Sequence, residues 1–135
     1  MATITSIGLL ATGTVNLCTA QTGTGATTNI ADRGSTVGAG DRASTTGPAL
    51  LRIVTTVGAT PTCTYAVEGS ANGTDWFAAP IADPATPETV SVATFAVTTA
   101  TTTIKFLRPG HAWRYLRVTF SANTNVTNTV DVWTF

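Results

Sequence analysis

Threonine is the residue that most constrains the fold of this chain, because it occupies 31 of the 135 positions. Its branched β-carbon makes the side chain stiff at χ1, which suits the pleated surface of a strand and is unfavourable in a helix. Alanine, valine and glycine are also abundant, whereas lysine, glutamate, glutamine and leucine, which usually cover surface helices, are scarce. The composition therefore predicts an all-β protein.

From Ala49 onward, apolar and polar residues alternate with the period of two that is typical of half-buried strands. In residues 62–69, for example, Cys63, Tyr65 and Val67 fall on one face of the predicted strand. The same alternation places Leu116 on the opposite face from Tyr115. Predicted strands in this part of the chain cover residues 49–57, 62–69, 89–98, 101–107, 111–120 and 126–135, with a short return strand that begins at Trp76.

Turn-forming residues separate these strands. Asn72-Gly73 is the clearest signal, because this dipeptide supplies the two positive φ angles that a tight hairpin needs. Turns are also predicted at residues 58–61, 108–110 and 121–125, and the prolines at 80, 84 and 87 predict a stiff connection. With two further strands at 3–10 and 14–20, about eight strands result, and the pattern predicts an antiparallel β-sandwich or jelly roll.

The chain divides near Pro48, although we expect one structural domain overall. Residues 1–48 are predicted to form a long, irregular, Gly/Thr-rich N-terminal arm with one or two strands, and residues 49–135 to form the sandwich body. Residues 21–47 are mostly turn-forming, and a loop of that length inside a compact domain indicates a functional segment, a segment that is disordered when free, or an arm.

A short repeat lies within this arm. The sequence Ala-Asp-Arg-Gly-Ser-Thr at 31–36 is followed nine residues later by Gly-Asp-Arg-Ala-Ser-Thr at 40–45. One interpretation is a pair of Asx-type turns with solvated arginines. The other is a contact arm whose candidate partner-binding residues are Asp32, Arg33, Asp41 and Arg42.

Charge and cysteine content exclude some classes of function. Seven basic and seven acidic side chains give a net charge of zero, so the sequence predicts neither a nucleic-acid partner nor a membrane partner. Residues 1–10 have no basic n-region, and their apolar run is too short for a signal peptide or a membrane span. Cys18 and Cys63 could pair, but the sequence favours two buried thiols.

The residues needed for catalysis are not grouped in the sequence. His111 is the only histidine, and general acid-base catalysis needs a second positioned group. The two cysteines lack the spacing of zinc ligands, and no loop carries the alternating carboxylates of a calcium site. We therefore expect no enzyme activity, no cofactor and no metal.

Aromatic residues are the more informative candidates. Trp76, Trp113 and Tyr115, together with Trp133, could form a stacking platform for a sugar. Large aromatic residues more often fill a core or a subunit interface. Both interpretations remain open from the sequence.

Two resemblances rest on residues 65–76, which read Tyr-Ala-Val-Glu-Gly-Ser-Ala-Asn-Gly-Thr-Asp-Trp, and 113–118, which read Trp-Arg-Tyr-Leu-Arg-Val. This pairing resembles the strand-turn-strand and late Arg-Tyr-Leu-Arg pattern of discoidin-like jelly rolls, many of which bind carbohydrate. With the low charge and the Asn-Thr-Asn-Val-Thr segment at 123–127, it is also similar to small accessory virion proteins of tailed bacteriophages. The second resemblance implies a β-sandwich that decorates a particle surface, commonly as a trimer.

The function that we expect is that of a capsid decoration, or cement, protein. Its partner would be the major capsid protein, it would form a homo-oligomer, most simply a homotrimer, and it would use the N-terminal arm as its contact. It would be made in the cytoplasm of the bacterial host and would lie on the exterior of the virion capsid. The alternatives are a carbohydrate-binding β-sandwich module and a component of a phage tail or baseplate.

Overall fold

The computed structural model describes residues 3–6, 14–32, 49–86, 89, 94–107 and 113–134. These residues form ten β-strands, and none of them is helical. The strands are β1 (Thr3–Ser6), β2 (Thr14–Gln21), β3 (Gly25–Ala26), β4 (Asn29–Asp32), β5 (Ala49–Ser70), β6 (Phe77–Ala78), β7 (Ile81–Ala82), β8 (Phe95–Ala96), β9 (Thr101–Leu107) and β10 (Tyr115–Thr134).

A ribbon of two long strands organises the sheet. β5 and β10 pair antiparallel from Tyr115 opposite Ser70 to Thr134 opposite Ala49. Across the whole sheet the order is β1-β4-β10-β5-β9-β7, with β2 and β3 also on β10, and with β6 and β8 also on β5. Only the pairing of β1 with β4 is parallel, so the sheet is antiparallel in all but one pairing of the described strands.

The turns predicted at residues 58–61 and 121–125 are corrected by the structure. Both segments lie within continuous strands, but the β5–β10 pairing is interrupted there. Ser121 of β10 has no partner in β5, and residues 58–61 of β5 lie opposite Asn125 alone. Such bulges add unpaired residues to one strand and bend it, so the chain changes direction without leaving the sheet. Glycine and proline signals alone do not distinguish a bulge from a turn.

Strained backbone is concentrated at this bend. Thr60 and Asn125 have φ angles of 51° and 55°, and Ala20 on β2 has a φ of 50°. The left-handed region is tolerated by asparagine but is unusual for a β-branched residue such as Thr60. Each such residue costs about 1–3 kcal/mol and persists only where surrounding structure imposes it.

Burial follows the predicted alternation in residues 62–69 of β5 and 115–120 of β10. On β5, Cys63, Tyr65 and Val67 are buried, and on β10, Leu116 and Val118 are buried. The predicted inward faces of these strands are therefore confirmed. The largest fully buried side chains include Tyr65, Phe120, Leu17 and Ile53.

The described part of the N-terminal arm is more regular than the sequence indicates. Where the sequence predicts mostly turns, β3 and β4 occupy residues 25–26 and 29–32, and both strands pair with β10. Leu17 on β2 and Ala31 on β4 are fully buried in the core cluster. Residues 14–32 therefore pack with the body, because their apolar side chains and backbone groups complete the edge of β10.

Other strands are shorter than predicted. Within the predicted strand at 89–98, the described residues form only β8, and within 111–120 the strand begins at Tyr115. Cys18 and Cys63 are free and buried, as the sequence favoured. The fold is all-β, and the sandwich or jelly-roll arrangement stays a prediction.

Candidate binding site at the aromatic end

One end of the β5–β10 ribbon collects aromatic and charged side chains. We call it the aromatic end and define it by Glu68, Gly69, Trp76, Phe77, Trp113, Arg114, Tyr115 and Arg117. It forms where β5 ends opposite the start of β10, with Leu116 opposite Gly69 and Arg117 opposite Glu68. β6 returns along β5 and places Phe77 opposite Gly69.

The turn at 71–75 is held by local hydrogen bonds. The Asn72 Oδ1 accepts from the backbone N–H groups of Thr74 and Asp75, both at 2.8 Å. The Ser70 hydroxyl accepts from the N–H of Gly73 at 2.9 Å. Gly73 has a positive φ of 77° and Asn72 does not, so only one of the two positive φ angles predicted from the Asn-Gly signal is present. The turn therefore fixes the position of Trp76 and the start of β6.

Trp113 packs directly against the backbone of Gly69. A β-carbon at position 69 would lie 2.4 Å from the Trp113 Cγ, so only glycine leaves room for this ring. Phe77 stacks with Trp113, with ring centroids 6.0 Å apart and planes inclined by 24°. The side chain of Phe77 remains 58% exposed, so much of this ring is open to solvent.

A charged pair lies on the other face of the same two strands. Arg117 donates from Nε and Nη2 to the Glu68 Oε2 at 3.0 and 2.8 Å. The guanidinium also lies 4.0 Å from the centroid of the Trp76 ring. The ion pair and the cation–π contact together hold Arg117 in one orientation.

A second pair joins β4 to the start of β10. The Arg114 Nε and Nη2 donate to the two oxygens of Asp32 at 3.0 and 3.2 Å, which is a bidentate geometry. These hydrogen bonds and the charge of Asp32 raise the pKa of the Arg114 guanidinium above its ordinary value. Arg114 also lies 4.9 Å from the ring of Tyr115, and Tyr115 contacts the Gly73 position.

The structure brings Trp76, Trp113 and Tyr115 to one end of the sheet but divides them between its faces, whereas Trp133 lies near the other end of β10, opposite Leu50. Trp113 lies on the side of Gly69 where a side chain would project, which is the core side of β5. Trp76 lies with Arg117 on the opposite face, and Tyr115 shares that face by the alternation of β10. The three rings therefore do not form one flat platform.

Of the predicted contact residues in the N-terminal arm, the structure describes only Asp32. Its carboxylate is buried and is engaged by Arg114, so it binds within the chain. Arg33, Asp41 and Arg42 lie outside the described residues, as does His111. The role of these residues in binding a partner stays a prediction.

Each cationic side chain that the structure describes has an anionic partner in the chain. The four pairs are Arg52–Asp131, Lys105–Asp83, Arg114–Asp32 and Arg117–Glu68. Lys105 is buried over the ring of Phe95 at 4.4 Å and, with Asp83, Thr86 and Thr89, lines a cavity of about 90 Å³. In the described residues, the charged groups are therefore used mainly to join strands to one another.

A buried polar cluster joins β2, β5 and β10 near the bend. Thr55 donates to the Asn128 Oδ1 at 2.8 Å, and Asn128 donates from Nδ2 to the Cys63 sulfur at 3.5 Å. The Cys18 thiol donates to the backbone oxygen of Asn128 at 3.6 Å. Burial raises the pKa of Cys18 to about 11 and also raises that of Cys63, so both thiols are held protonated and unreactive.

Sequence reasoning missed Glu68, Phe77, Arg114 and Arg117 as members of the site. Glu68 and Arg117 have a usable signal, because opposite charges on neighbouring antiparallel strands commonly pair, but the signal requires the strand register. Nothing in the sequence joins Arg114 to Asp32, which lies 82 residues earlier.

Comparison of the chain with known protein families, curated proteins and solved structures gives no match. In the described residues, no three histidine, cysteine or acidic side chains are grouped to hold a metal ion. Nor does the described part of the chain contain a helix long and apolar enough to cross a membrane. The geometry of the aromatic end is therefore the basis for assigning a function.

Proposed function

We propose that the chain is a structural virion protein, a capsid decoration or cement protein that binds the assembled phage head and stabilises it. The proposal names the major capsid protein as the partner and a homotrimer as the active form. It places the protein on the capsid exterior after synthesis in the host cytoplasm. Binding the assembled shell and not its free subunits would shift the assembly equilibrium toward the shell by mass action.

The observation that carries the proposal is the exposed ring of Phe77 on the Trp113–Gly69 stack, beside charges that are already paired. Protein interfaces are enriched in Trp, Tyr, Phe and Arg and have few unpaired charges at their centres. Arg114 and Arg117 are held by Asp32 and Glu68, so little side-chain freedom is lost when a partner binds. These properties fit a neutral protein surface better than a nucleic acid.

The finer description of the fold belongs to the same proposal. We propose that the two halves of the β5–β10 ribbon face each other as the layers of a sandwich. In support, Leu51 and Val67 from opposite halves of β5 line one small cavity, together with Leu116 and Val132 from opposite halves of β10. Such a sandwich would place the aromatic end at the edge of both layers, where it is accessible to a flat partner.

Co-sedimentation with expanded, empty capsids of the phage that encodes the chain tests the proposal. The wild-type protein should pellet with the capsids in a saturable ratio. Phe77→Ala should weaken binding by at least about tenfold, as expected for an exposed aromatic residue at the centre of an interface. Wild-type protein that stays in the supernatant would contradict the decoration function.

Val57→Ala is the matched control for this experiment. Val57, at the bend, and Phe77 are the two exposed large hydrophobic residues of the described chain, with 37% and 58% of their surface exposed. The Val57 variant should bind as the wild type does. Equal binding by both variants would show that the aromatic end is not the contact, even if the protein still decorates the capsid.

One observation favours the carbohydrate-binding alternative, since the exposed face of Phe77 could stack on a sugar ring. The other rings are less available, because Trp76 lies on Arg117 and Trp113 lies between Gly69 and Phe77. Tryptophan fluorescence titration against a glycan panel separates the two functions. Saturable quenching by a glycan would favour the carbohydrate-binding function over capsid decoration.

A further inference from the structure

An open cleft lies at the bend of the ribbon, away from the aromatic end. It has a volume of about 320 Å³ and is lined by Thr22, Gly23, Gly58, Asn125, Val126 and Thr127. We call it the bend cleft. Its volume is at the lower limit of small-molecule sites, which suits one small ligand or one unit of a polymer.

The cleft exists because β2 and β3 leave the edge of β10 where β10 bulges. β10 pairs with Gly25 at Phe120 and with Gln21 at Asn128. Between these two points, residues 121–127 of β10 lie opposite only residues 22–24. The sheet therefore opens between two paired segments, and the opening is fixed on both sides by strand pairing.

Left-handed backbone surrounds the same opening. Ala20 precedes Thr22 by two residues, Thr60 follows Gly58 by two, and Asn125 lines the cleft itself. The Asn125 side chain donates from Nδ2 to the backbone oxygen of Ala59 at 2.6 Å, which braces the bend. Strained backbone that is held by its surroundings is common at binding sites, where it shapes the site in advance.

The chemistry of the bend cleft is neutral and rich in hydrogen-bonding groups. No charged residue occurs in 14–31, 53–67 or 118–130, the segments that form the bend. Thr22 and Thr127 offer hydroxyl groups, and Asn125 offers the Oδ1 of its amide. The side chain of Val126 is buried in the core, so the accessible lining consists of the threonine, asparagine and glycine residues. An ionic ligand would find no counter-charge there, whereas a neutral ligand with several hydroxyl groups would find both donors and acceptors.

We propose that the bend cleft binds one unit of a neutral sugar, free or within a polysaccharide. The two threonine hydroxyls and the Asn125 Oδ1 bond to sugar hydroxyls. Gly23 and Gly58 allow the ring to approach the backbone closely because they have no side chain. This site is separate from the proposed capsid contact and does not depend on it.

Amide chemical shifts of the full-length protein test this site. Glucose, galactose, mannose and N-acetylglucosamine are titrated separately to millimolar concentrations. At least one should shift the amide signals of Gly23, Gly58 and Thr127 in a saturable way, while tryptophan fluorescence stays constant because no tryptophan lines the cleft. The proposal is overturned if no amide at the cleft moves, or if the shifts occur only at the aromatic end.

Isosteric variants locate the binding further. Thr22→Val and Thr127→Val should each weaken sugar binding by about fivefold, as the loss of one neutral hydrogen bond implies. Thr62→Val, at an exposed position of β5 outside the cleft, should bind as the wild type does. If the Thr127 variant binds sugar normally, the site is elsewhere.

Capsid co-sedimentation of the same variants separates the two proposals. Thr127→Val should pellet with capsids as the wild type does, whether or not the sugar site exists. If this variant loses capsid binding and no sugar shifts the cleft amides, the cleft belongs to the protein contact and the sugar proposal fails.

Discussion

The aromatic end and the bend belong to the same two strands but are built differently. Ten residues of β5 separate Ser70 from Thr60, or about 33 Å of extended chain. At the aromatic end, ion pairs with two hydrogen bonds each and stacked rings fix the side chains. At the bend there is no charged residue, and strained backbone and buried hydrogen bonds define the shape.

This difference indicates how each region should respond to substitution. Side chains dominate the aromatic end, so added or removed atoms there should be costly. Backbone conformation dominates the bend, so residues that accept a positive φ should be tolerated or even favoured. Burial raises the pKa of the two thiols near the bend, which makes the stability of the fold depend on pH.

The largest effect should come from a methyl group added at the aromatic end. Gly69→Ala places a β-carbon 2.4 Å from the Trp113 Cγ. The ring must move, and we expect the free energy of unfolding to fall by about 2 kcal/mol. Urea denaturation followed by tryptophan fluorescence measures this change.

Gly58→Ala is the control within the same strand. Its β-carbon would lie 3.4 Å from that of Asn125, which is an ordinary contact, so stability should change by less than about 0.5 kcal/mol. In a Trp113→Ala background the cost of Gly69→Ala should also shrink. Equal costs at the two glycines would remove the contrast between the regions.

An alkaline loss of stability should follow from the buried thiols. The pKa of Cys18 is about 11 in the folded chain against an ordinary value of 9.0, so the unfolded chain loses this proton first. The stability that the protonated thiol contributes is fully present below about pH 9 and is lost as the pH rises toward 11. Over that range the free energy of unfolding falls by up to about 1.4 kcal/mol per pH unit. Burial also raises the pKa of Tyr65, so the loss should steepen above about pH 10.

Urea denaturation from pH 7 to 11 at constant ionic strength measures this loss. Between about pH 9 and 10, the free energy of unfolding should fall less steeply with pH in Cys18→Ala than in the wild type, whatever the stability of the variant at pH 7. An unchanged slope would show that Cys18 is not buried as described.

The smallest effect concerns the strained backbone of the bend. Thr60→Gly removes the cost of a left-handed β-branched residue, about 1–2 kcal/mol, and adds the greater chain entropy of glycine, about 0.5–1 kcal/mol. We expect stability to stay the same or to rise by up to about 1 kcal/mol. Thermal and urea denaturation measure it.

Thr62→Gly, two residues further along β5 and without a positive φ, is the matched control. It should lower stability by about 1 kcal/mol, as glycine does within a strand. Equal losses in the two variants would mean that Thr60 is not strained.

Much of the fold was accessible from the sequence, because the alternation of Cys63, Tyr65 and Val67 already identifies the buried face of β5. The sequence did not show that β5 and β10 are continuous, since Gly58 and Pro61 give the same signal in a bulge as in a turn. Residues 25–32 were also missed as strands, because their partners on β10 lie 83 to 95 residues later in the chain.

The candidate site was accessible only in part. The sequence singled out Trp76, Trp113 and Tyr115, and the structure gathers them at one end. It could not show that Trp113 needs Gly69, or that the rings lie on different faces. Such relations depend on register, and a shift of one residue would move every side chain to the other face.

By itself, the sequence determined that the chain is all-β, which faces of its strands are buried, and that its bend carries no charge. These properties are local, because β-branching and period-two alternation act over a few residues. Only the tertiary structure decided that Asp32 meets Arg114, that Asn128 joins both thiols, and that Thr22 and Asn125 line one cleft. Contacts between distant segments depend on strand register and on the bulges that bend the ribbon, and neither is encoded in any single short stretch of the chain.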